Sequence, residues 1–194
     1  MAGWLAQNWV SGALVMAVVL LALTPLLWRA FPLTLILIYL HSPAYMLHQV
    51  EEHRGDRFRT FVNQRMFGGI EALTTEAVLW INLPGVWGIN LVAFLAAWHY
   101  RPALGLVAPY MVLVNAVGHI LSGIAFRGYN PGLWTSLILF LPLGSFTLWK
   151  ISHLRGTSIL HHMIGLGCAL ATHAIIAFHI RSNVTQALGE SVEL

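Results

Sequence analysis

His48, Glu51 and Glu52 stand at positions i, i+3 and i+4 of an apolar stretch, so on a helix all three project from one face. His41, seven residues earlier, lies two turns back on the same stripe. Imidazole and carboxylate at this spacing make a ligand set for a divalent metal such as zinc or iron, as one ion or two. They also make an acid/base cluster. Two adjacent carboxylates in low dielectric repel, so a metal, a proton or an arginine such as Arg54 or Arg57 must offset them. Charge beside hydrocarbon is costly, and groups kept there default to a function. His53 falls off the stripe by more than a quarter turn and reads as an interfacial neighbour.

Other chemistry-bearing residues are spread along the chain. Asn115 and His119 form an N-x-x-x-H pair on one helical face, continued by Ser122. In lipid such a pair also serves to hydrogen-bond neighbouring helices. Tyr129-Asn130-Pro131-Gly132 has the composition of a tight turn. Glu71 and Glu76 point about 140° apart on a helix, so they cannot face one site together. Glu71 suits a first helical turn, where the dipole favours it. Glu76 reads as deeper and harder to excuse. His162 and His173 share one helical face, and His161 and His179 share another; the first pair is expected to face inward. Cys168 is the single cysteine, in an apolar run, and reads as a small buried hydrophobe. H-E-x-x-H, G-x-S-x-G, P-loop and dinucleotide fingerprints are all missing.

These residues must be positioned by helices in a membrane. Of 194 residues, 58% are hydrophobic and 9% charged, and mean hydropathy is +0.73. A soluble domain carries roughly a quarter charged residues. The expectation is an all-α polytopic transmembrane bundle, one domain over 1–180 with a polar, frayed tail over 181–194. A span needs about 20 apolar residues, and six are expected: 9–28, 33–53, 69–98, 102–125, 133–151 and 158–180. Trp4, Trp9 and Trp28 anchor the first at the interfaces. Pro43 is placed to kink the second. Pro84-Gly85 interrupts the third, which reads as one broken helix or two shorter ones. The stretch 1–8 has no Lys or Arg and no clean cleavage site follows, so a cleaved signal peptide is not expected. With six spans, Arg54, Arg57, Arg59, Arg65, Arg127 and Arg181 fall on one side, against Arg29, Arg101, Lys150 and Arg155 on the other. This favours both termini in the cytoplasm. The net charge of +3 fits orientation rather than nucleic-acid binding.

His48-x-x-Glu51-Glu52, then Asn115-x-x-x-His119, then Tyr129-Asn-Pro-Gly132 resembles the HXXEE-domain family of bacterial membrane proteins over roughly 33–180. The resemblance implies an α-helical membrane protein with an enzymatic site built from those motif residues, and it brings no reaction with it. A looser similarity is to intramembrane prenyl-protein-type proteases with E-E-x-x-x-R; here Arg57 falls one position late.

The expected activity is that of a membrane-embedded metal-dependent enzyme, a hydrolase of a lipid-like substrate drawn from the membrane. His48, Glu51, Glu52 and His119 are the primary ligands expected, with His41, Glu76, His162 and His173 available to complete one or two metal sites. Whichever of Glu51 and Glu52 is not a ligand acts as general base. Asn115, Tyr129 or Asn130 steadies a developing oxyanion. A di-iron oxidase or desaturase is the alternative, given the Glu and His count. A metal or proton transporter is another, and it would spread its polar groups across the bilayer rather than gather them at one depth.

Overall fold

The computed structural model describes residues 2–190, and its described residues form an all-helical bundle. The helices are α1 (Ala2–Ala30), α2 (Leu33–His53), α3 (57–66), α4 (Thr75–His99), α5 (Pro102–Ala125), α6 (Leu133–Ser152) and α7 (Ile159–Glu190). Five of them, α1, α4, α5, α6 and α7, are long and apolar enough to cross a membrane. α2 has 21 residues, about 31 Å at 1.5 Å per residue, which matches the hydrocarbon thickness. Its lower hydropathy has one cause: His41, His48, Gln49, Glu52 and His53 all sit on its buried surface. α2 is long enough for a sixth span and lies inside the bundle, packed against α1, α4, α5 and α6.

Apolar side chains point both ways. Val15, Val18, Leu91, Val92, Leu121 and Ile138 are exposed, as lipid-facing residues must be. Trp4, Trp28, Trp98 and Trp149 are also exposed, near span ends where indoles favour the interface. Inside, Ile38 packs with Ala93, Ala97 and Ile151. Nearer the site, Tyr45 packs with Val86, Met111, Val112 and Phe140. Small residues let the backbones close up, the usual means of helix association without a hydrophobic driving force.

Several expectations change. Pro84-Gly85 does not break the third span: residues Ile81–Trp87 widen into π-helical turns, which absorb the proline, and the helix continues to His99. That span starts at Thr75 rather than 69, so Glu76 lies in its first turn and is exposed. Pro43 leaves α2 continuous. Trp9 is not an interface anchor; it is buried, with its ring 5.0 Å from that of His53. Cys168 is exposed on α7 rather than buried. The tail does not fray at 181, because α7 runs to Glu190 and Asn183 Nδ2 donates to the Ala72 carbonyl at 3.0 Å. Residues 191–194 lie outside the described residues.

The α5–α7 contact generates a stability test. A Cβ on Gly165 would meet Tyr110 Cδ2 at 2.9 Å and the Leu106 carbonyl oxygen at 3.1 Å, while one on Gly167 would meet nothing within 4 Å. Gly165→Ala is expected to lower stability by about 1–3 kcal/mol through overpacking. Gly167→Ala is expected to be neutral or to add up to about 1 kcal/mol through helix propensity. Thermal unfolding in detergent checks the pair.

Candidate metal centre

Glu52 is the hub of a buried polar cluster. Its Oε2 lies 3.6 Å from His48 Nε2 and 3.1 Å from His53 Nε2, and its Oε1 lies 3.4 Å from His119 Nε2. His48 is fully buried, and Glu52, His53 and His119 nearly so. Helix α2 brings His48 and Glu52 together one turn apart, and α5 delivers His119 from across the bundle. One ligand atom each from His48, Glu52 and His119 lies within 4.8 Å of the others. Ligands at about 2.0–2.1 Å on one tetrahedral ion are about 3.3 Å apart, so small side-chain movements close this triad on a single cation.

The hydrogens on the imidazoles can be assigned. Asn130 Nδ2 donates to the His119 carbonyl at 2.9 Å, which leaves Asn130 Oδ1 as acceptor for His119 Nδ1–H at 2.7 Å. Thr135 Oγ1 donates to Glu51 Oε2 at 2.5 Å, so its lone pair accepts from His48 Nδ1–H at 2.8 Å. When neutral, both rings therefore turn a bare Nε2 lone pair toward Glu52, itself an acceptor. His48 Nε2 has no hydrogen-bond partner. Three acceptors aimed at one point, with both imidazoles held from behind, is the arrangement of metal-binding histidines, whose second nitrogen donates to an orienting group. Among the described residues this triad is the one group that could hold a metal ion, and its donor set of two imidazoles and a carboxylate fits zinc or iron.

Glu51 faces elsewhere. It accepts from Tyr129 OH at 3.0 Å, the Trp134 N–H at 3.1 Å, and the Thr135 N–H and hydroxyl at 2.7 and 2.5 Å. It thus caps the start of α6 from another helix, where free N–H groups and the dipole favour an anion. Partial burial and the bond to Glu51 hold the Tyr129 phenol above its ordinary pKa, so it remains a donor at neutral pH. The turn that carries Tyr129 and Asn130 ends at Gly132, with φ +97°. A Cβ there would lie 2.6 Å from His119 Cε1 and 2.8 Å from His48 Cε1. Only glycine supplies both that backbone angle and that approach.

The remaining sequence candidates separate clearly. Tyr129 bonds Glu51, and Asn130 bonds His119 while also lining the neighbouring cavity. Asn115 lines the neighbouring cavity. His41 is fully buried two turns away from His48, donating from Nδ1 to the Leu37 carbonyl at 2.8 Å. Glu76 is exposed at the start of α4, and Glu71 is exposed and paired with Arg59 at 2.9 Å. His162 pairs with Tyr110 OH at 2.9 Å, away from the triad. His173 lines the cavity and bonds its own helix at the Ala169 carbonyl. Sequence reasoning missed His53 and Thr135. His53 is sequence-adjacent to the hub, and adjacency overrides its angular offset at a helix end where φ has moved to −108°. Thr135 gave no signal beyond its place three residues after Gly132. Behind His53 runs a further chain: Trp87 Nε1 donates to Gln49, Gln49 to Asn82 Oδ1, and Asn82 Nδ2 reaches His53 at 3.3 Å.

A cavity of about 230 Å³ opens beside Glu52, His53 and His119. Its other walls are largely apolar, from Phe58 and Phe61 of α3 to Ile176 and Ile180 of α7.

Two substitutions test this account. Thr135→Val removes the acceptor of His48 Nδ1–H and is expected to weaken metal affinity about 10–100-fold, with Thr135→Ser restoring it. Competition with a chelator of known affinity reads this. Gly132→Ala is expected to cost about 1–3 kcal/mol in unfolding free energy through strain at positive φ, and to lose metal as both rings are displaced.

A family model described as a protein of unknown function with HXXEE motif matches residues 39–147. That span includes every residue of the triad and its supports at Glu51, Asn130, Gly132 and Thr135. No curated protein and no solved structure matches the chain. The match covers more than half of the sequence and contains the H-x-x-E-E motif as His48 to Glu52, and the chain belongs to the HXXEE family.

Proposed function

We propose that the protein is a membrane-embedded, metal-dependent hydrolase acting on a lipid-like substrate drawn from the bilayer. The observation that carries this reading is the convergence of the His48 and His119 Nε2 lone pairs on Glu52 at the end of a largely apolar cavity. Two histidines and one carboxylate with a fourth position free is a common catalytic zinc set. A divalent ion held there would polarise an acyl carbonyl and lower the pKa of water. His48, Glu52 and His119 bind it. Thr135 and Asn130 orient the rings. His53, hydrogen-bonding distance from Glu52 and on the cavity wall, takes a proton from water and passes it to the leaving group. Water supplies the oxygen added to the acyl carbon, and the leaving group departs with the proton. The apolar walls hold the chain and exclude bulk water.

Two observations rank the alternatives. A di-iron centre needs several carboxylates, but Glu51 caps α6 and Glu71 and Glu76 are exposed. A transporter strings polar groups across the bilayer, whereas Glu52, His48, His53 and His119 gather at one depth. We further propose a bacterial inner-membrane location with the cluster on the cytoplasmic side, the side carrying Arg54, Arg57, Arg59, Arg65, Arg127 and Arg181.

Metal content by mass spectrometry on detergent-purified protein tests the reading. One zinc or iron per chain is expected in the wild type, falling to near zero in His48→Ala and Glu52→Ala with helicity retained. Wild-type protein purified without chelator and containing no metal would overturn it.

A further inference from the structure

The cavity wall formed by α5 has two polar groups that the metal site does not use. Asn115 Oδ1 and Ser122 Oγ are buried without any hydrogen-bond partner, and both residues line the cavity. They flank His119 on one helical face, Asn115 about 6 Å deeper and Ser122 about 4.5 Å nearer the 126–132 loop. A buried carboxamide left unpaired costs about 1–3 kcal/mol, and lipid offers it nothing. No lysine or arginine lines the cavity, while Glu52 forms part of its wall.

From these observations we infer that the cavity binds a neutral lipid whose polar part carries a secondary amide, paired by Asn115, with Ser122 taking a hydroxyl of its head. The chemistry of Asn115 selects this class. Its carbonyl needs a donor and its amino group offers one, and a secondary amide presents an N–H and a C=O in return. An ester has no N–H and leaves Oδ1 orphaned. A phosphate head brings only acceptors, so it too leaves Oδ1 without a donor, and no lysine or arginine lines the wall to bind it. For turnover the inference rests on the hydrolase reading: water would cleave the C–N bond to a fatty acid and an amine, the proton going to nitrogen. For binding it stands on the cavity wall alone.

The test compares three probes by the shift of the thermal unfolding midpoint in detergent: N-oleoylethanolamine, its ester isostere ethylene glycol monooleate, and oleoyl lysophosphatidic acid. Wild-type protein is expected to reach its half-maximal shift at roughly tenfold lower amide than ester, the loss of one buried hydrogen bond. Asn115→Leu is expected to bring amide and ester within about twofold of each other. Asn115→Ala serves where the leucine variant fails to fold, and Ser122→Ala is expected to weaken both neutral probes alike. Equal response to amide and ester in the wild type, an amide preference that survives loss of Asn115, or tightest binding of the anionic lipid would each overturn the inference. Amide-selective binding without cleavage would uphold it and overturn the hydrolase reading. Cleavage of the ester with no amide preference would do the reverse.

Discussion

Three hydrogen-bond acceptors point at one spot inside a membrane protein, and only a proton or a metal ion placed among them resolves that. His48 Nε2, His119 Nε2 and the Glu52 carboxylate converge with no donor between them, because Thr135 and Asn130 have claimed the Nδ1 hydrogens. In low dielectric the arrangement is unfavourable until a proton or a metal ion enters. A divalent ion does so with a single carboxylate, since the imidazoles coordinate while neutral. The requirement for positive charge is thus written into the hydrogen-bond directions, not only into the residue types.

Much of the surrounding architecture follows from holding that spot still. α6 begins where it does because Glu51 satisfies its first free N–H groups from α2, and the same Thr135 that joins in this cap also fixes His48. The 126–132 loop must return close to α5, because Asn130 bonds His119 at both its ring and its carbonyl. Gly132 then packs closely against both rings. A rigid site on helices, supported by a second layer of hydrogen bonds, is what precise coordination needs. Arg59 does a comparable job outside the membrane, where it ties Asp56 to Glu71 and holds α3 over the cavity; its hydrogen bonds to Asp56 raise the guanidinium further above its ordinary value.

Periodicity and composition made the bundle legible. Apolar runs of membrane length gave span positions close to those observed, and His48, Glu52 and His119 followed from helical spacing and motif. The parts that were not legible depend on tertiary direction. Pro84 argued for a break, but widened turns keep α4 whole and swing Asn82 and Trp87 onto Gln49. Trp9 had the composition of an anchor, and only its packing against His53 reveals an inward role. An apolar run counted from 69 predicts a deep Glu76, but its place is the first turn after the Thr74 cap. An ideal-helix angle turns His53 off the stripe, but the helix ends at His53 and the angle no longer applies. Thr135 is an ordinary residue in an apolar run, and its role exists only because α2 and α6 meet.

The double glutamate itself can be understood from this geometry. Adjacent residues on a helix diverge by about 100°, so Glu51 and Glu52 cannot serve the same centre. On α2 that divergence aims one carboxylate at the α6 N-terminus and the other between the imidazoles. Repulsion between the two is relieved separately, by four donors at Glu51 and by the imidazoles of His48, His53 and His119 around Glu52. A single carboxylate could fix α6 or complete the triad, but not both. Coupling runs between them through Thr135 and His48, so the helix start and the ligand geometry are set by one continuous set of bonds. The H-x-x-E-E spacing is therefore one candidate ligand one turn before another, with the cap of the neighbouring helix inserted between them.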